Sequence, residues 1–126
     1  MDDPIRVALI EDNEDFREAL ELLFGLQPDL EVVATAAHGR DAVGLCERSD
    51  PHVLVLDYRL PGLDGVQVTS AVSAACPGVA IVVVTAAVSD HEQAALREAG
   101  AVACLRKDES LDDIVAAVRN AAGRAG

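Results

Sequence analysis

Short apolar runs alternate along the chain with longer segments in which apolar and charged residues are mixed. The runs are rich in β-branched residues and lack polar alternation, which is typical of strands buried on both faces of a parallel sheet. They cover residues 5–10 (with Arg6 as the one interruption), 32–36, 53–56, 79–84 and 102–105. The pattern therefore predicts five buried strands.

The segments that separate or follow these runs predict five helices. Asn13, Ser89 and Ser110 stand where a side chain commonly caps a helix start. Gly25 and Gly100 are placed to end the first and fourth helices. The second and third segments predict weaker helices, because they are rich in Gly, Ser and Thr. Strands that alternate with helices predict an α/β fold, a (βα)5 doubly wound five-stranded parallel sheet with right-handed crossovers.

The composition narrows the classes of protein. The 126 residues fit one domain, with a core over residues 6–122 and a linker-like tail at 123–126. A formal net charge of −12 argues against direct binding to nucleic acid or an anionic membrane, since both require a basic face. Three cysteines without C-x-x-C spacing indicate reduced thiols. No stretch has the pattern of a leader or a membrane span, so we expect a cytoplasmic location.

Residues capable of chemistry follow four of the five predicted strands. Glu11 and Asp12 follow the first strand, and Asp57 follows the third. Thr85 follows the fourth, and Lys107 lies just beyond the fifth. Because the carboxyl ends of parallel strands meet at one edge of a sheet, we expect these side chains to converge.

This set of residues is suited to phosphoryl chemistry. Three convergent carboxylates repel one another unless a cation is bound, and their hard oxygen ligands suit Mg²⁺ or Mn²⁺. Lys107 adds a fixed positive charge and Thr85 adds a hydroxyl donor. A carboxylate can also be the nucleophile and form an aspartyl phosphate, and Asp57 is the candidate.

Each of these residues also has a simpler interpretation. Glu11 and Asp12 would interact favourably with the dipole of the first helix. Asp57 would cap a turn at residues 61–62, Thr85 would be an ordinary strand-end residue, and Lys107 a solvated surface lysine. Their joint placement favours the chemical interpretation. The chain has no G-x-x-x-x-G-K-[ST] and no G-x-G-x-x-G loop, so nucleotide binding lacks its usual phosphate cradle.

Four motifs, in a fixed order along the chain, carry a family resemblance. These motifs are Glu11-Asp12, Asp57 followed by LPGLDG, Thr85-Ala86 and Lys107. Over about residues 6–122 this ordered set resembles the receiver (phosphoacceptor) domain of two-component response regulators. The resemblance implies the flavodoxin-like receiver fold. It also implies that Asp57 accepts a phosphoryl group from a histidine kinase, in a signalling switch that is not a turnover enzyme.

The same resemblance implies a Mg²⁺ site. Asp12 and Asp57 would bind the ion directly, together with the backbone carbonyl of Arg59. Glu11 would lie beside it and act through a water molecule. Mn²⁺ would be an alternative ion in this site.

The resemblance further implies how the switch works. Lys107 would pair with Asp57 and then with the phosphoryl oxygens, while Thr85 would turn its hydroxyl toward them past the small Ala86. The surface that responds would be the fourth helix, fifth strand and fifth helix, roughly residues 89–122. One position departs from the family, because Cys104 stands where receivers usually carry Tyr or Phe. This change puts the form of switching in doubt and leaves phosphorylation untouched.

The residue that follows Lys107 bears on the kind of output domain that the receiver would control. Lys107-Asp108 resembles receivers whose C-terminal half is a helix-turn-helix DNA-binding domain, yet residues 1–126 contain no basic DNA-reading helix. The chain is either the receiver portion of a longer transcription regulator or a stand-alone receiver, and the sequence favours the first. Homodimerisation through the terminal helices is a family-level option.

Two other classes of function are alternatives to a phosphoaccepting receiver. A phosphatase of the haloacid dehalogenase type also uses a strand-end Asp and Mg²⁺, but it needs a second acid where this chain has Arg59. An unphosphorylated receiver-like protein-interaction module is suggested by Cys104. The intact set of carboxylates, hydroxyl and lysine argues against the module without excluding it.

Overall fold

A five-stranded parallel sheet forms the centre of the computed structural model, which describes residues 3–60 and 63–123. The spatial order of the strands is β2-β1-β3-β4-β5, all parallel. The strands are β1 (Ile5–Ile10), β2 (Leu30–Ala36), β3 (Val53–Asp57), β4 (Ala80–Thr85) and β5 (Ala101–Arg106). The predicted doubly wound α/β fold is confirmed, and its strand order reverses between β1 and β3.

Within the described residues, five α-helices connect and cover the strands. They are α1 (Glu14–Gly25), α2 (Ala42–Ser49), α3 (Gly65–Ala75), α4 (Asp90–Ala99) and α5 (Leu111–Ala121). The side chains of Asn13, Ser89 and Ser110 accept the backbone N–H bonds that cap α1, α4 and α5, as predicted. None of the helices in the described ranges has the length and apolar character needed to cross a membrane.

Local details differ from the sequence prediction in two places. The predicted weak third helix starts at a complete capping box, in which Asp64 and Gln67 each bond the other's backbone N–H. A short antiparallel ribbon, Arg59–Leu60 with Leu63–Asp64, lies between β3 and α3 and was not predicted. The proposed turn at residues 61–62 lies outside the described residues.

The hydrophobic core has two layers, one on each face of the sheet. Successive residues of β1 point to opposite faces, so that Val7 and Leu9 join one layer while Ala8 and Ile10 join the other. Helices α1 and α5 cover the first layer, and α2, α3 and α4 cover the second. Because both faces of the central strands β3 and β4 are buried, these strands are apolar up to their last residues, Asp57 and Thr85.

Gly100 is required by the turn between α4 and β5. Its φ is +123°, and a Cβ there would clash with the Ser73 side chain on α3. We expect Gly100→Ala to lower the free energy of unfolding by about 1–3 kcal/mol, through backbone strain and overpacking. Gly25→Ala is the matched control, because Gly25 has open space around its Cβ position and no positive φ. Urea unfolding of both variants checks this, and equal stabilities would contradict it.

Candidate functional site

The site lies where the strand order reverses, at the carboxyl ends of the central strands. Ile10 and Leu56 are register partners in β1 and β3, so Glu11 and Asp57 leave the sheet side by side. Lys107 follows β5, and its backbone N–H donates to the Thr85 carbonyl at the end of β4 (2.7 Å). The topology therefore brings together the residues predicted from the strand ends.

Three carboxylates form the floor of the site. One oxygen from each of Glu11, Asp12 and Asp57 lies within 4.8 Å of the others. Glu11 and Asp57 are buried, with 3% and 5% of their surfaces exposed, whereas Asp12 is exposed. The cluster is thus closed on the protein side and open to solvent on the Asp12 side.

Glu11 is held in place by several backbone contacts. Its N–H donates to the Ala36 carbonyl of β2 (3.0 Å), and its carbonyl accepts from the Arg17 guanidinium on α1 (2.8 Å). The Asn13 N–H donates to the Glu11 carboxylate (3.1 Å). Glu11 is therefore a rigid part of the site and not a freely rotating surface acid.

The Lys107 ammonium bridges two of the carboxylates. Its Nζ lies 2.7 Å from the Glu11 Oε1 and 3.4 Å from the Asp57 Oδ2. Pairing with Asp57 was expected, but the shorter contact is to Glu11. Burial lowers the pKa of Lys107, but the bond to Glu11 and the charge of Asp57 outweigh it, so the pKa is raised overall. The lysine thus stays charged at neutral pH and offsets part of the carboxylate repulsion.

The charge of Asp12 is also favoured. Partial burial raises the pKa of Asp12. Hydrogen bonding with Asp57 and Glu11 and the charge of Lys107 lower this pKa by more than burial raises it, so the net shift is downward. A lowered pKa in the folded state means that ionised Asp12 contributes stability above its ordinary value of 3.8. That contribution is lost as the pH falls through the folded-state pKa. Asp12 therefore offers ionised and accessible oxygen atoms at neutral pH.

The donor set fits a hard divalent cation. Carboxylate oxygens grouped in a solvent-open cluster are the ligands that Mg²⁺ prefers, with water completing its octahedron. The backbone of Arg59, whose carbonyl was predicted as a further ligand, lies in the short ribbon directly after β3. The Tyr58 carbonyl accepts from the Gly65 N–H (2.7 Å), which ties the start of α3 to this loop.

Thr85 lies at the site, but its hydroxyl points along its own loop. The residue is fully buried, and its Oγ1 donates to the carbonyl of Ala87 (3.1 Å). The intervening Ala86 is exposed and small. The hydroxyl is therefore engaged within the β4–α4 loop.

Cys104 is a partly buried thiol on β5. It packs against the layer of the core that includes Val83 and Leu96. Burial raises the pKa of the Cys104 thiol, and nearby Glu109 adds to this while Arg97 opposes it. A raised pKa disfavours the reactive thiolate, which favours an ordinary packing role for this cysteine over a redox-sensing one.

Two features of the site were not predicted from the sequence. The Phe16 ring lies under the Lys107 ammonium, with 4.8 Å between the Nζ and the ring centroid. Arg17 bonds the Glu11 carbonyl, as described above. The helical spacing in the sequence predicts an apolar stripe on the first helix, formed by Phe16, Ala19, Leu20, Leu23 and Phe24. This stripe identifies Phe16 only as an apolar residue, and no pattern in the sequence links it to a lysine that lies 91 positions later.

Comparison with known proteins gives a consistent result. The sequence model of the family described as "Response regulator receiver domain" matches residues 7–119. The transcriptional regulatory protein LiaR of Bacillus subtilis is 33% identical over 117 residues, which are 93% of this chain and 56% of LiaR. LnrK of the same organism is 32% identical over 90% of this chain and 52% of its own length. The chain thus spans about half the length of these curated relatives.

Solved structures show the same relationship. The receiver domain of the response regulator NarL from Mycobacterium tuberculosis has a TM-score of 0.92 at 31% identity, covering 97% of this chain and 98% of that one. A LuxR-family response regulator from Aurantimonas has a TM-score of 0.89 at 28% identity, over 97% of this chain and 88% of that one. A receiver domain of Thermotoga maritima CheB, at 22% identity and a TM-score of 0.87, supports the fold alone.

Proposed function

This chain belongs to the response regulator receiver domain family, and on that premise we propose that Asp57 is its phosphoacceptor. The observation that carries the proposal is the position of the Asp57 carboxylate, buried beside two further acids and 3.4 Å from the Lys107 Nζ. A buried carboxylate held among like charges and one lysine is costly for a fold and is explained by chemistry at that oxygen.

In the proposed reaction an Asp57 oxygen attacks the phosphorus of a phosphohistidine on a histidine kinase. The O–P bond forms as the N–P bond breaks, and the imidazole leaves with the electron pair and takes up a proton. Lys107 lies close enough to Asp57 to contact the incoming phosphoryl oxygens after a short shift away from Glu11. The chain's own contribution is to orient the carboxylate and to stabilise charge on the phosphoryl group.

We propose that Mg²⁺, or Mn²⁺ in its place, is held by Asp12, Asp57 and the Arg59 carbonyl, with Glu11 acting through water. The bound ion would neutralise charge on the phosphoryl oxygens. The accessible and ionised Asp12 beside the two buried acids supports this assignment.

We propose that Thr85 connects the chemistry to the surface. Its hydroxyl, now bonded to the Ala87 carbonyl, would leave that bond to donate to a phosphoryl oxygen, and the small Ala86 leaves the path open. The β4–α4 loop would change shape. The equilibrium between the inactive and active conformations of the surface formed by α4, β5 and α5 would then shift toward the active one. Cys104, on β5 within that surface, replaces the aromatic residue expected there.

The relatives support a proposal about the output, and the family resemblance supports one about the partners. The curated relatives LiaR and LnrK, named as transcriptional regulatory proteins, match this chain over only 56% and 52% of their own lengths. We propose that this single receiver domain controls a C-terminal DNA-binding domain in a cytoplasmic regulator, with a histidine kinase as phosphodonor and a homodimer as one output state.

The test of the proposed function is covalent labelling. The chain is incubated with acetyl phosphate and Mg²⁺, and its intact mass is measured. We expect one phosphoryl adduct that is lost on mild base, and none when EDTA replaces Mg²⁺. No adduct in a sample that binds Mg²⁺ would favour the unphosphorylated interaction module, the alternative that Cys104 suggests.

Mg²⁺ should also stabilise the fold. At ten times the dissociation constant, a ligand that binds only the folded state adds about 1.4 kcal/mol to the free energy of unfolding. We expect Asp12→Asn to lose most of this stabilisation. Asp15→Asn should keep it, because Asp15 is an exposed acid of α1 outside the cluster. Thermal unfolding with Mg²⁺ and with EDTA measures both, and equal responses of the two variants would contradict the metal assignment.

A further inference from the structure

The environment of Lys107 has an aromatic side as well as an acidic one. The ammonium contacts Glu11 and Asp57, and the Phe16 ring centroid lies 4.8 Å from the same Nζ. This distance is within the range of cation–π contacts. The lysine side chain is 23% exposed, so most of it is removed from water. Three protein groups therefore replace much of the water around this charge.

Phe16 is firmly placed for this contact. It belongs to the first turn of α1, where its N–H donates to the Asn13 cap (2.8 Å). The ring is partly buried and packs against the core layer covered by α1 and α5. In the same turn, Arg17 bonds the Glu11 carbonyl. One turn of α1 thus supports both Glu11 and the lysine that Glu11 binds.

An aromatic ring at position 16 can attract the ammonium electrostatically, whereas an aliphatic side chain cannot. A leucine would fill similar apolar space, but only a ring presents a face of negative potential to the ammonium. The face is broad, so an ammonium that moves between Glu11 and Asp57 can stay in contact with it. The two carboxylate contacts differ by less than 1 Å in length, so the movement needed is short.

We propose that Phe16 is a positioning residue for Lys107, holding the ammonium against the carboxylates by a cation–π contact and keeping it in reach of the phosphoryl group. The inference rests on the proposed function, because it assigns a residue that acts through the proposed catalytic lysine. It goes beyond the apolar role that the helical stripe gave to Phe16.

A double-mutant cycle tests the contact without phosphorylation. Phe16→Leu, Lys107→Met and the double variant are unfolded in urea without Mg²⁺. We expect a coupling of about two- to fivefold in the unfolding equilibrium constant, the size of a modest cation–π contact. Additive effects of the two changes would overturn the contact. Leucine is used because it keeps the apolar packing of α1.

Fluorination tests the consequence for the reaction. Phenylalanine derivatives with one, two and three ring fluorines, placed at position 16 by stop-codon suppression, weaken the negative face at nearly constant size. We expect the phosphorylation rate with acetyl phosphate to fall stepwise, by about two- to fivefold over the series, and Phe16→Tyr to stay near the parent rate. The same series at Phe24, fully buried in the core, is the matched control and should leave the rate unchanged.

The outcomes separate this inference from the proposed function. A flat rate across the series at position 16, or equal trends at positions 16 and 24, would overturn the positioning role. If the parent chain takes up no phosphoryl group, the proposed function fails. The double-mutant cycle, which needs no phosphorylation, then still decides whether Phe16 holds Lys107.

Discussion

Asp57→Asn will abolish covalent phosphoryl incorporation from acetyl phosphate. Asparagine has nearly the same shape, but its neutral amide is not a nucleophile toward phosphorus. The fold should survive, because the change removes one of three neighbouring negative charges at a site that is 5% exposed. Intact mass after incubation with Mg²⁺ and the donor measures the effect, and circular dichroism verifies the fold.

The matched control for this variant is Asp64→Asn. Asp64 is also an aspartate close to the site, but it is exposed and caps α3, a role that asparagine fills equally well. We expect this variant to be labelled like the parent chain. An adduct that persists in Asp57→Asn would show that another residue is the acceptor.

Lys107→Gln will slow phosphorylation by about 10²-fold, the usual effect of removing one preorganised group that stabilises charge in a transition state. Glutamine keeps polar atoms at the site but provides no positive charge for the phosphoryl oxygens. The loss of the Lys107 ammonium also leaves Glu11 and Asp57 without their shared cation. The rate of adduct formation, measured by intact mass over time, gives the size of the effect.

Arg106→Gln is the control for the change of net charge. Arg106 is the preceding residue, but its side chain is exposed and pairs with Asp108 (2.8 Å). The Arg106→Gln variant should therefore be phosphorylated at close to the parent rate, because an exposed ion pair contributes little to stability. A Lys107→Gln rate within threefold of that of Arg106→Gln would show that the lysine is not part of the reaction.

The strands and helix caps could be predicted because their causes are local. Runs such as residues 53–56 are apolar because both faces of the sheet are covered, and Asn13 and Ser110 cap helices through their own side chains. The convergence of Glu11, Asp12, Asp57 and Lys107 could also be predicted, since parallel strands deliver their carboxyl ends to one edge.

Other features of the site depend on distances that no sequence pattern encodes. The closer approach of Lys107 to Glu11 than to Asp57 is set by how the loop after β5 folds over the sheet. Thr85 carries a hydroxyl, but only the loop geometry directs it to the Ala87 carbonyl. Phe16 was predicted as part of an apolar stripe, and its second contact comes from the packing of α1 beside Lys107.

At Cys104 the sequence has a thiol where the family resemblance led us to expect Tyr or Phe. A thiol packed at the edge of the core cannot rotate between two environments as an aromatic ring can. We therefore expect any switching to be carried by the Thr85 hydroxyl and the loop that follows it. We expect the proposed chemistry at Asp57 to proceed without a contribution from Cys104.

Locating the phosphoryl group tests the central proposal most directly. The labelled chain is reduced with borohydride, which converts an aspartyl phosphate to homoserine, then digested and sequenced by tandem mass spectrometry. We expect homoserine at position 57 and at no other aspartate, in a Mg²⁺-dependent manner. Homoserine at a different aspartate, or a fully unmodified peptide from a sample shown to bind Mg²⁺, would contradict the assignment of Asp57 as the phosphoacceptor.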